Sequence, residues 1–161
     1  MNNLDKYLSI MKNLPDAAAA VRGRGINLNV KFYAAQNGVL VVSEGTGLPN
    51  DSGRCGGAVL GFHIHGGSDC NPRGDDTFGG AMSHYDLKEC HHPYHAGDMP
   101  PLFSNRGYAF SVFLTDRFTV DEIIGKTVIL HSHPDDFTSQ PAGMSGEKIA
   151  CGVIRTTRSH Q

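Results

Sequence analysis

The chain has 161 residues, which is enough for one domain with a hydrophobic core. Its formal net charge of −2 includes no basic excess, so nucleic-acid binding has no support. No apolar stretch approaches the roughly 20 residues of a membrane span, and the N-terminus lacks the apolar core and cleavage site of a secretory signal. We therefore predict a cytoplasmic protein, or a periplasmic or secreted one if a signal has been removed.

The N-terminal part of the chain predicts a short amphipathic helix. Apolar residues recur at helical spacing over residues 4–14, and Pro15 ends the pattern. We assign residues 1–20 to an N-terminal helical extension and residues 21–161 to a single domain.

From Ile26 onwards the apolar residues recur every second position, which is typical of half-buried strands. The pair Asn37-Gly38 predicts a hairpin turn. The predicted strands are residues 26–33, 39–43, 60–65, 110–115, 127–131 and 149–155. Residues 66–105 have almost no periodicity, so we expect a long functional loop there, and a second one follows His131. The pattern predicts an all-β fold, an immunoglobulin-like antiparallel Greek-key β-sandwich or barrel.

The most informative motif is His63-Ile64-His65 on a predicted strand. Alternation along a strand sends Phe62 and Ile64 to one face and both imidazoles to the other, which makes a preformed metal-binding edge. Two satisfied or surface histidines are the usual alternative for an isolated motif of this kind. The interpretation therefore depends on the histidines downstream.

Further histidines could complete two metal sites. His131 lies near the end of a strand whose residues Val128 and Leu130 point the opposite way, and His84 begins a histidine cluster in the long loop. Four imidazoles around one ion suit copper, and three imidazoles with one carboxylate suit zinc. The copper candidates are His63, His65, His84 and His131, and the zinc candidates are His84, His92, His95 and Asp98. His84 can serve both ions only if each ring nitrogen binds a different metal.

In these histidine segments and in others the chain resembles the copper/zinc superoxide dismutases, the bacterial members in particular. The resemblance runs from about Val21 to Arg155. The matching segments, in chain order, are Gly61-Phe62-His63-Ile64-His65, Gly67-Ser68-Asp69-Cys70-Asn71-Pro72, His84-Tyr85-Asp86, His95-Ala96-Gly97-Asp98, His131 with Asp135-Asp136, Ser139-Gln140-Pro141 and Ile149-Ala150-Cys151-Gly152-Val153-Ile154.

This resemblance implies roles for particular residues. It implies copper and zinc on the two sets above, with His84 bridging them. It implies that Asp135 is the outer-sphere carboxylate that links the two sites through histidine hydrogen bonds. It also implies a disulfide between Cys70 and Cys151, which would leave Cys55 and Cys90 as thiols.

The implied activity is the disproportionation of superoxide to dioxygen and hydrogen peroxide, with copper cycling between Cu(II) and Cu(I). His84 would take up a proton and deliver it to the peroxide. The implied partner is the superoxide anion, with no nucleic acid and no membrane, and the resemblance allows a homodimer. The alternative function is a copper- or zinc-binding protein with this fold, such as a metal buffer, chaperone or sensor, with little or no dismutase activity.

The sequence departs from the family pattern in the catalytic cation and in the zinc loop. Lys148 occupies the position of the family's active-site arginine, keeping the charge that attracts superoxide but losing the planar fork of donors, so we expect reduced activity. The zinc loop is short, and either His91 or His92 could be its middle ligand. Cys90 could also bind zinc.

Overall fold

The computed structural model describes residues 3–50 and 56–157, so Cys55 lies outside the described residues. The strands form antiparallel ladders, which confirms the predicted all-β class. No helix in the described ranges is long and apolar enough to cross a membrane.

Ten strands and two short helices make up the described fold. The strands are β1 (Ala17–Gly23), β2 (Asn27–Ala35), β3 (Gly38–Thr46), β4 (Ala58–Leu60), β5 (Phe62–His65), β6 (Leu102–Ser104), β7 (Ala109–Thr115), β8 (Thr127–His131), β9 (Lys148–Val153) and β10 (Arg155–Thr156). The helices are α1 (Asn3–Ile10) and α2 (Val120–Ile123), and a 3₁₀ turn covers Gly79–Ala81.

The main sheet has the strand order β5-β8-β9-β1-β2-β3-β7, with β10 paired to β1, and β4 pairs separately with β6. Neighbours that are distant in the chain, such as β3 with β7 and β5 with β8, require crossover connections of the Greek-key kind. The sheet curls around one hydrophobic core that includes Phe32, Phe62 and Ile64. β5 and β8 are paired at one end of this strand order.

The strand predicted for residues 60–65 is divided at Gly61. Gly61 donates its N–H to the carbonyl of His133 and accepts from the N–H of His131, each at 2.8 Å. A β-carbon at Gly61 would lie 2.7 Å from that of Ser145, so only glycine fits this close approach. β4 therefore pairs with β6, while β5 pairs with β8.

The N-terminal helix is shorter than predicted. It ends at Ile10 instead of residue 14, and β1 begins at Ala17, inside the range assigned to the extension. Leu4 and Leu8 remain exposed, so the apolar stripe of the helix is not covered by the described residues.

Helix α2 was not predicted, although a signal for it exists in the sequence. Thr119 and Glu122 form a capping box, in which the Thr119 N–H donates to Glu122 Oε2 at 2.7 Å and the Glu122 N–H donates to Thr119 Oγ1 at 3.4 Å. The helix has four residues, too few to show helical periodicity.

A disulfide joins Cys70 in the long loop to Cys151 in β9, as the resemblance implied. The two cysteines are 81 residues apart in the chain. Cys90 carries a free thiol.

We predict that Cys151→Ser lowers the free energy of unfolding by about 2–5 kcal/mol, because the disulfide restricts the unfolded chain over a long loop. Urea denaturation of the oxidised, metal-loaded protein would measure the change. Cys90→Ser is the matched control, since it replaces a thiol without opening a bridge. An equal loss in both variants would show that the bridge adds nothing.

Candidate metal centre

Two groups of side chains converge beside the β5–β8 edge, and each has its ligand atoms within 4.8 Å of one another. The first group is His63, His65, His84 and His131, and the second is His84, His92, His95 and Asp98. These are the residues predicted for copper and zinc. His92 is only 2% exposed, whereas His91 faces solvent, and neither His91 nor Cys90 belongs to a metal-type group in the described ranges.

Strand pairing positions the histidines. His63 and His65 lie on β5, where they pair with Ile129 and Thr127 of β8, and His131 lies at the end of β8. His84 comes from the long loop, which forms an isolated antiparallel bridge with His65.

The long loop is attached to β5 by main-chain hydrogen bonds. Tyr85 donates its N–H to the Ile64 carbonyl and Ile64 donates to the Gly97 carbonyl, each at 2.8 Å. A β-carbon at Gly97 would lie 2.2 Å from the Ile64 oxygen, so this approach also requires glycine. The loop therefore places His84 and Asp98 at fixed positions beside the strand histidines.

The hydrogen bonds of His65 and His131 fix their tautomers. His65 Nδ1 lies 2.8 Å from the carbonyl oxygen of Met82, and His131 Nδ1 lies 3.3 Å from that of Gly146. A carbonyl only accepts, so each Nδ1 carries the hydrogen and each Nε2 presents a lone pair. The two Nε2 atoms are 3.2 Å apart.

Burial keeps both of these rings neutral. It lowers the pKa of His65 well below its usual value and that of His131 to about 3, with nearby histidines adding to both effects. Two facing lone pairs at 3.2 Å repel each other, and a metal cation between them would convert the repulsion into two bonds.

His63 and His84 present the other two free nitrogens of the first group. His63 Nε2 donates to Asp135 Oδ2 at 2.7 Å, which leaves Nδ1 as the lone pair. His84 Nδ1 lies 2.8 Å from Asp98 Oδ1. Neither His63 Nδ1 nor His84 Nε2 has a hydrogen-bond partner among the described residues, although both atoms are buried. The donor set is therefore Nδ1 of His63 and Nε2 of the other three rings.

The second group also has buried ring nitrogens without hydrogen-bond partners among the described residues. His92 Nε2 donates to Asp135 Oδ1 at 2.8 Å, so its Nδ1 carries the lone pair. Nδ1 of His92 and Nδ1 of His95 lie 3.1 and 3.2 Å from Asp98 Oδ2, yet neither makes a hydrogen bond within the described part of the chain. Close but misaligned atoms are expected when ligands point at a common centre. Three nitrogens and one carboxylate are a suitable donor set for tetrahedral zinc.

Asp135 connects the two groups, since its two oxygens accept from His63 and His92. Burial raises its pKa, but hydrogen bonds from His63, from the Phe137 N–H and from His92 outweigh burial and hold the pKa well below its ordinary value. The carboxylate is therefore ionised and accepts hydrogen bonds from both rings.

A cavity of about 630 Å³ opens onto the first group. His65, His84 and His131 line it, together with the charged residues Asp75, Asp76, Glu147 and Lys148. Lys148 Nζ donates to Asp76 Oδ2 at 2.6 Å. Lys148 thus lies in the cavity wall and forms an ion pair with Asp76, a residue to which the sequence analysis assigned no role.

Two further residues support the second group and were not assigned a role from the sequence. Gln140 makes two hydrogen bonds to the main chain of His92, at 3.0 and 2.7 Å. Arg117 Nη1 donates to the carbonyl oxygens of Pro93, His95 and Asp98 at 2.8, 3.3 and 3.4 Å. Both contacts join segments distant in the chain through main-chain atoms, so no local sequence pattern reports them.

Comparisons with known proteins agree with this geometry. A family model described as copper/zinc superoxide dismutase matches residues 27–154. A Cu-Zn superoxide dismutase of Aquifex aeolicus, designated 2, is 34% identical over 140 residues, which cover 78% of this chain and 77% of the relative. Another from the same organism, designated 1, is 29% identical over 163 residues and 91% of each chain. The Legionella pneumophila enzyme is 31% identical over 134 residues, covering 78% and 76%.

We predict that Arg117→Ala weakens zinc binding at the second group by about 10–100-fold, because the guanidinium holds the backbone that carries His95 and Asp98. Competition with a zinc chelator would measure the affinity. Arg24→Ala is the matched control, since it removes an exposed arginine in the β1–β2 turn. Equal zinc affinity in the two variants would contradict the role of Arg117.

Proposed function

Because the chain belongs to the copper/zinc superoxide dismutase family, we propose that its two histidine groups hold copper and zinc as derived above. The protein is an oxidoreductase that converts two superoxide anions and two protons to dioxygen and hydrogen peroxide. The alternative of a metal buffer, chaperone or sensor gains no support from the named relatives.

The observation that carries the copper assignment is the tautomer pattern of four buried rings. His63, His65 and His131 are each held by a hydrogen bond at one nitrogen, His84 Nδ1 faces Asp98 in the second group, and the other nitrogen of each ring points inward. Four converging imidazole nitrogens favour copper over metals that prefer oxygen ligands. The set is also complete, whereas a simple metal carrier would have less need of four fixed nitrogens.

When bound, copper supplies one-electron redox chemistry between Cu(II) and Cu(I). The protein residues fix the geometry and handle the proton. Asp135 holds the His63 ring in one tautomer. His84 Nδ1 faces Asp98 and the second group, so Nε2 is the nitrogen of this ring that, when it is not bonded to a metal, could hold a proton next to the cavity and donate it to the peroxide product.

We also propose that Lys148 is the cation of the active-site cavity, at the position where the family has arginine. It lines the same cavity as three of the proposed copper ligands. Lysine supplies one charge without the planar pair of donors that arginine would offer to the two oxygens of superoxide. We expect Lys148→Arg to be more active than the parent for this reason.

We predict that His131→Ala abolishes the Cu(II) signal of the first group in visible and EPR spectra, because the variant loses one of four nitrogens and leaves His65 without its opposing ligand. Dismutase activity should fall with it. His91→Ala is the control, since His91 is exposed and we place it outside both sites. A parent-like copper spectrum in His131→Ala would refute the ligand set.

We propose a homodimer formed by the outward face of β7. Phe110, Val112 and Leu114 alternate along this strand and are exposed, Phe110 by 57%. Phe103 of β6 is exposed as well, and β6 precedes β7 in the chain. Contiguous exposed apolar side chains on a folded domain are typical of an interaction surface, and the self-association of a soluble enzyme would cover them.

We predict that Phe110→Lys shifts the protein from dimer to monomer in sedimentation-velocity experiments, because it places a charge in the proposed interface. Leu14→Lys is the control, since Leu14 is also an exposed apolar residue but lies outside the proposed face. If the parent sediments as a monomer, or if both variants remain dimeric, this interface is wrong.

The cytoplasmic location remains a prediction, and the disulfide bears on it. Structural disulfides persist in oxidising compartments and are rare in the reducing cytosol. The Cys70–Cys151 bridge would need protection there, which the burial of Cys151 and the partial burial of Cys70 would provide. A periplasmic or secreted location would require no such protection.

A further inference from the structure

The cation of the active-site cavity is already paired. Lys148 Nζ lies 2.6 Å from Asp76 Oδ2 and 3.5 Å from the carbonyl oxygen of Phe78. The Lys148 side chain is only 16% exposed, whereas that of Asp76 is 44% exposed. The ammonium group is therefore held against the cavity wall by a more exposed carboxylate that lines the same cavity.

Asp76 is held in place by its own turn. Its Oδ1 accepts from the Phe78 N–H at 3.0 Å, and its main chain pairs with that of Arg73 through hydrogen bonds of 3.0 and 3.2 Å. One carboxylate oxygen is thus used to fix the side chain, which leaves Oδ2 directed at Lys148. A preorganised partner loses less side-chain entropy in an ion pair than a freely rotating one.

The charges that line the cavity do not favour an anion. Asp75, Asp76 and Glu147 contribute three carboxylates, whereas Lys148 contributes one ammonium group. The charged side chains of the lining therefore sum to a negative charge, and the single positive group among them is paired at 2.6 Å, so the attraction of superoxide would depend on the bound metal ions and on how free Lys148 is.

We infer that Asp76 is a positioning residue that determines how strongly the active site attracts anions, because it holds the Lys148 ammonium against the wall and cancels its charge. This inference rests on the proposed copper site. It adds a residue on the 70–80 segment of the long loop to the determinants of anion access. It also adds a physical reason, beyond the lysine itself, for the reduced activity that we expect.

The experiment uses the copper- and zinc-loaded protein and azide as an anionic probe, with binding followed by the visible absorbance of Cu(II). Asp76→Asn keeps an oxygen that can accept from the Phe78 N–H but removes the charge. We expect azide to bind about three- to tenfold more tightly, as for one freed charge partly screened by solvent. The kcat/KM for superoxide should rise by a similar factor.

Asp75→Asn is the matched control, since it removes the same charge from the same cavity lining, and Asp75 makes no hydrogen bond to Lys148 in the described structure. The second control is the double variant Asp76→Asn with Lys148→Gln. If freeing Lys148 is the cause, the gain in Asp76→Asn exceeds that in Asp75→Asn and is reduced in the double variant. Equal gains in the two single variants would overturn the inference.

The salt dependence of dismutation provides a second test. The rate of the parent should fall less steeply with added salt than that of Asp76→Asn, because only the variant has a free ammonium group for salt to screen. An equally steep fall in both proteins would mean that Lys148 already acts as a free cation, and the inference would be wrong. A parent that shows neither a Cu(II) spectrum nor dismutation would instead refute the proposed function, so the two failures are distinguishable.

Discussion

The candidate metal centre depends on one buried carboxylate that two histidines share. Asp135 accepts from His63 Nε2 at 2.7 Å and from His92 Nε2 at 2.8 Å. Each of these bonds decides which nitrogen of the ring remains free, so one side chain selects a donor atom in both groups. An ionised carboxylate is costly to bury alone, and the two ring N–H groups with the Phe137 N–H offset that cost.

The candidate ligands lie partly on rigid strands and partly on a loop that hydrogen bonds hold in place. His63, His65 and His131 lie on the β5–β8 ladder, whose geometry is set by main-chain bonds and by the core beneath it. Long-range contacts position the loop ligands in a similar way. Arg117, for example, donates hydrogen bonds to carbonyl oxygens of the loop. In a site built in this way, the packing and hydrogen bonds of the surrounding fold hold the ligand lone pairs close together despite their mutual repulsion.

The pattern of apolar residues predicted the strands correctly where the strand bounds depend on neighbouring residues in the chain. The strand bounds Thr127–His131 agree with the prediction because a short run of β-branched and apolar residues lies between turn residues at Gly125 and Pro134. The spacing of His63 and His65 likewise follows from strand geometry alone. The break at Gly61 could not be predicted, since it depends on contacts with residues 131–145 that the strand pattern does not reveal. The same applies to the pairing of Asp76 with Lys148, which are 72 residues apart.

The disulfide and the Asp76–Lys148 pair attach the same loop segment to the same strand. Cys70 is bonded to Cys151, and six residues further along the loop Asp76 contacts Lys148, three residues before Cys151 in β9. Phe78, two residues beyond Asp76, packs on a small apolar cluster that includes Cys151. The covalent bridge therefore restricts how far Asp76 can move from Lys148, which raises the effective concentration of the carboxylate at the ammonium group. A bridge that stabilises the fold thus also determines the charge that a substrate meets at the mouth of the cavity.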